Sequence, residues 1–89
     1  MMNDLRKREK AVMVREVDEE VLLLDTESNL IHKLNQTASF IWRKLDQVPS
    51  PDDIARMLAK EFEVEEHVAA RDVNSTLEKL LQLKLVVAA

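Results

Sequence analysis

Hydrophobic and polar positions follow one rhythm over the first third of the chain and another over the rest. The runs "AVMVREV", "EVLLLD" and "NLIHKL" are rich in leucine and β-branched residues and are separated by the polar breaks "DE" and "TESN". This pattern predicts three short strands joined by tight turns, an antiparallel meander. Within it, "VLLL" lacks polar alternation and predicts a central strand covered on much of both faces. "LIHKL" mixes polar and apolar positions as an edge strand does. The chain contains no glycine; the break "DTESN" offers Asp, Ser and Asn for its turn instead, and Asn29 is the candidate for a positive φ.

From Asn35 onward the apolar spacing lengthens to three and four. Ala38, Ile41, Trp42 and Leu45 share one helical face, and Asn35 stands where a side-chain oxygen can cap the first turn. A cap at the strand's end makes a glycine turn unnecessary, and the small Ala38 lets that turn approach the sheet. Trp42, the only tryptophan, then becomes the plug between helix and sheet, burying about 150–250 Å². A second helix opens at "SPDDIARMLAKEF", with Ser50 as cap, Pro51 in the first helical position and Asp52 and Asp53 at the positive end of the dipole. Its expected buried face is Ile54, Leu58 and Phe62, with Met57 beside them. A third helix is expected from about Glu66 to Lys84, followed by "LVVAA" as a short extended piece or a frayed end.

The third helix is wider than one core requires. Ala69, Val73, Thr76, Leu77, Leu80, Leu81 and Leu83 span about 160° of its circumference, against the ~100° needed to cover one neighbour. The excess either packs on two neighbours or leaves one flank of an apolar groove open to a partner.

Charge and composition remove several functional classes. The first ten residues hold Arg6, Lys7, Arg8 and Lys10 against Asp4 and Glu9, a net of +2, so the remainder carries −6 of the total of −4. Residues 1–10 are expected to be a disordered basic tail and residues 11–89 a single domain. The acidic body lacks the Lys/Arg face on which nucleic-acid affinity rests. No apolar run approaches the roughly 20 residues of a membrane span, and no signal peptide is apparent. The absence of cysteine excludes disulfides and Cys-based zinc sites, and a cytoplasmic location is expected.

No catalytic constellation is present. Without glycine neither a phosphate-cradling loop nor a G-x-S-x-G turn can be written, and no H-E-x-x-H spacing occurs. His32 and His67 have no matched carboxylate motif, so neither a metal nor a cofactor is expected.

The order "LLLD", a turn, "IHKLNQTASFIWRKLD", "PDDIARMLAKEFEV" and "RDVNSTLEKLLQLKLV" resembles the PqqD-like family, also called the RiPP recognition element, over residues 12–87. Asn29 and Gln47 depart from it where glycine is common. The resemblance implies an α+β, winged-helix-like fold, a three-stranded antiparallel sheet followed by three helices. It also implies a non-catalytic protein that holds the leader of a ribosomally made precursor peptide and presents it to a modifying enzyme, often a radical S-adenosylmethionine (SAM) enzyme. The leader would add to the edge of the third strand, at Leu30, Ile31, His32, Lys33 and Leu34. It would lie against the third helix at Asp72, Val73, Thr76 and Leu80. Two other functions compatible with such a fold are a DNA-binding winged helix and a general protein-interaction scaffold. From Glu65 to Lys84, however, four acids outnumber three bases, which disfavours phosphate. A homodimer through the strand edge is also open, since unpaired edges pair with what is available.

Overall fold

A computed structural model describes residues 5–8, 10–47 and 50–88. The elements in chain order are β1 (Leu5–Lys7), β2 (Val12–Val17), β3 (Glu20–Asp25), β4 (Leu30–Lys33), α1 (Gln36–Lys44), α2 (Pro51–Phe62), α3 (Glu66–Gln82) and β5 (Val86–Ala88). Strands β2, β3 and β4 form the expected antiparallel meander with β3 central, and the three helices follow it.

The β2–β3 turn is made by Asp18 and Glu19, both at positive φ (51° and 69°), the twist a two-residue hairpin requires. The β3–β4 turn is organised by Asp25, whose Oδ1 accepts from the N–H groups of Glu27 and Ser28. It closes through Asn29 at φ 59°, as expected of that residue. Helices α2 and α3 end in the same way. Glu63 and Lys84 take left-handed φ, the N–H of Val64 reaches the carbonyl of Ala59, and that of Leu85 reaches Leu80. These are Schellman closures built without the usual glycine.

The core lies between one face of the sheet and the helices. Val12, Val21 and Leu23 meet Ile41, Trp42, Ile54, Leu58, Ala69, Val73, Leu77 and Leu80 there, with Leu85 and Val86 at one end. Two apolar expectations shift. Met57 is exposed, and α2 instead buries Ala55 and Ala59, whose small side chains let α3 pack closely. Strand β3 is central, but only Val21, Leu23 and Asp25 are buried on it. Leu22 and Leu24 are half-buried on the outer face, Leu24 level with Met13 and Ile31 and Leu22 level with Arg15 and Lys33 of the neighbouring strands.

The expected disordered tail is corrected for Leu5–Lys7, which pair antiparallel with Val86–Ala88; residues 1–4 and 9 of that segment lie outside the described residues. This pairing orders the basic groups. Lys7 Nζ sits 4.5 Å from the centre of the Trp42 ring and 2.6 Å from Asp46 Oδ2. Arg8 donates to the carbonyl of Lys84 and pairs with Glu27. Among the described residues no helix is long and apolar enough to cross a membrane.

Candidate functional site

Asn35 begins the site. Its Oδ1 accepts from the N–H of Ala38 at 2.9 Å and from the Thr37 hydroxyl at 3.0 Å, capping α1 directly at the end of β4. One residue further in, Ser39 is fully buried. Its hydroxyl accepts from the N–H of Val21 (2.8 Å) and donates to the carbonyl of Leu34 (3.1 Å). The close approach expected of Ala38 is therefore made by Ser39, whose side chain replaces one rung where β3 and β4 part.

The hydrogen-bond phase of β4 follows from its last contact with β3. The N–H of Leu34 donates to Val21, and bonded pairs alternate in an antiparallel ladder. Given the observed register, His32 opposite Leu23 and Leu30 opposite Asp25 face β3. The N–H and C=O of Ile31 and Lys33 point the other way, off the free edge.

Beside that edge runs an open groove of about 690 Å³, bounded by Ile31 to Asn35, by Thr37 and Ala38 at the start of α1, and by Asp72, Ser75, Thr76, Lys79, Leu80 and Leu83 of α3. Leu34, Ala38, Thr76, Leu80 and Leu83 form its less exposed floor, while Asp72, Ser75 and Lys79 are exposed on its rim. The groove uses one flank of the over-wide arc of α3. Leu77 and Leu81, on the other flank, pack into the core or against it.

The expected site residues divide accordingly. Ile31, His32, Lys33, Leu34, Asp72, Thr76 and Leu80 are brought together. Leu30, 57% exposed, lies at the neighbouring end with Gln82, Leu83 and Lys84. Val73 is a correction: at 1% exposure it belongs to the core, because it falls on the buried side of α3, one residue past the groove-lining Asp72. Lys33 lends its backbone, its ammonium lying 3.3 Å from Glu20. Ser75, Lys79 and Leu83 also line the groove but are not among the expected site residues, although Leu83 is on the expected apolar arc. The series 72, 76, 79 and 83, a single helical stripe, was the signal that would have found the last two.

The other edge of this sheet, β2, borders a smaller hollow of about 380 Å³ lined by Lys7, Arg8, Val12, Val14, Trp42 and Asp46, and Arg43 pairs with Glu16. Among the described residues no group of three or more His, Asp or Glu gathers as a metal site would require.

Comparison with known proteins is consistent with this geometry. No curated protein matches the chain. Among solved structures, lasso peptide synthetase B1 complexed with the leader peptide is similar at 32% identity and TM-score 0.85, over 94% of this chain and 98% of that one. TbiB1 in complex with the TbiA(β) leader peptide is similar at 27% identity and TM-score 0.80, over 91% of this chain and 94% of that one. The family described as coenzyme PQQ synthesis protein D (PqqD) matches residues 20–86, which take in β3, β4, all three helices and the groove between them, and the chain belongs to that family.

Proposed function

We propose that the protein is a non-catalytic, cytoplasmic peptide-binding module. It captures the leader of a ribosomally synthesised precursor by strand addition to β4 and presents it to a modifying enzyme. The observation that carries this reading is the outward-facing backbone of Ile31 and Lys33 beside the α3 groove, in a chain similar to two leader-peptide complexes. Main-chain bonds of about 0.5–1.5 kcal/mol each supply sequence-independent affinity, and side chains entering the groove supply discrimination. After the cost of ordering the peptide, micromolar affinity or somewhat better is expected. The family resemblance favours a radical SAM enzyme as the partner. Similarity to lasso peptide synthetase B1 favours a second reading, a lasso-type maturation enzyme.

Proline substitution tests strand addition directly. Ile31→Pro removes an outward N–H while leaving the ladder to β3 intact. It is expected to weaken binding of a cognate leader peptide at least tenfold, about 1.4 kcal/mol, in a protein that remains folded. His32→Pro instead breaks a bond to β3 and is expected to destabilise the fold. Thr76→Arg should crowd the groove and weaken binding, whereas Arg56→Ala, on the exposed face of α2, should leave it unchanged. Isothermal titration with Ile31→Pro equal to wild type would exclude the β4 edge.

A further inference from the structure

The groove has a polarity along its length. Its Leu30 end is closed by Gln82, Leu83 and Lys84 from the C-terminal end of α3, so β4 and α3 run in opposite directions and Asp72 lies towards Leu34 and the start of α1. Between these ends the rim carries Asp72 and then Lys79, both exposed, and among the described residues neither is in an ion pair. Of the groove floor on α3, Thr76 lies between them along the helix and Leu80 one residue beyond Lys79, with Leu34 and Ala38 facing the helix across the groove. At about 1.5 Å of rise per residue, Asp72 and Lys79 stand about 10 Å apart along the helix. Successive inward side chains of an added strand are spaced about 6.7 Å, so positions n and n+4 reach roughly 13 Å. The remaining few ångströms are within the reach of a lysine and a carboxylate side chain.

We infer that Asp72 and Lys79 select an extended peptide carrying opposite charges four residues apart with an apolar residue midway. This deepens the strand-addition reading and rests on it. An antiparallel addition continues the pattern of β2–β3–β4 and is the slightly more stable pairing. A strand added in that sense runs from the Leu34 end to the Leu30 end, which sets the order as basic–x–apolar–x–acidic. The basic residue then faces Asp72, the apolar one enters beside Thr76, and the acidic one faces Lys79.

The test is selection of a phage-displayed library of random dodecapeptides, run in parallel on the wild-type protein and on the Asp72→Lys/Lys79→Glu double variant. Both substituted positions are exposed, and circular dichroism of the double variant checks its folding. Wild type should enrich basic–x–apolar–x–acidic peptides, and the double variant acidic–x–apolar–x–basic ones. Each selected peptide should prefer its own protein by about threefold to tenfold at low salt, with the preference shrinking in 1 M salt as screening increases. Peptides that are lost on Ile31→Pro yet show no charge order, or the same order on both proteins, would overturn the charge assignment alone. Failure to enrich peptides, or peptides that bind Ile31→Pro as well as wild type, would overturn strand addition and this inference with it.

Discussion

Ser39 and Trp42 sit three residues apart on α1 and differ in how far the sequence reveals them. Ser39→Ala leaves the N–H of Val21 and the carbonyl of Leu34 without their shared partner. A loss of about 1–3 kcal/mol is expected, since a buried unsatisfied group retains its desolvation cost. Chemical denaturation should register it as a lower midpoint at unchanged slope, and an unchanged midpoint would mean that β3 and β4 close on each other without the hydroxyl. Trp42 was legible because a lone large aromatic at helical spacing has few places to go except the core, where it is 3% exposed. Ser39 was not legible, because a reading by apolar period counts a serine as solvent-facing and cannot know that two backbone groups end beside it. Asn35 lies between these cases: its capping role is written in local sequence, while the groove at whose edge it stands depends on where α3 arrives.

Among the elements, α2 and the three strands of the meander were set by local chemistry, and each was expected within a residue or so of where it lies. The width of the apolar arc on α3 was equally visible, but the choice of open flank depended on the approach of α2 and β5, which is a tertiary fact. Strand β1 escaped notice, and β5 stayed open between a short extended piece and a frayed end, for a different reason. Each is three residues long, too short to show alternation, and Leu5–Lys7 pairs with residues some eighty positions away. The helix ends supply a further test. Glu63 holds φ 55°, a region that costs a residue with a Cβ about 1–2 kcal/mol. Glu63→Gly removes that cost and adds backbone entropy to the unfolded chain worth roughly 0.5–1 kcal/mol. A net stabilisation of up to about 1 kcal/mol is expected in thermal or urea unfolding, and a loss of stability would show that the glutamate side chain contributes contacts that glycine cannot replace.

For the molecule as a whole, charge and edge exposure decide what can bind. With a formal net charge of −4 and its basic residues Lys7 and Arg8 engaged with Asp46 and Glu27, the protein should show no measurable retention of duplex DNA at ~150 mM salt. Micromolar retention with a steep salt slope would instead favour the nucleic-acid reading of the fold. The phase of β4 also has a kinetic consequence. In the free protein the amide protons of Ile31 and Lys33 face solvent while those of His32 and Leu34 are held by β3, so deuterium uptake along this strand should alternate fast, slow, fast, slow. A bound leader strand would slow the fast pair and leave the other nearly unchanged. The loss of that alternation, residue by residue, is thus a direct gauge of occupancy that requires no label on the peptide.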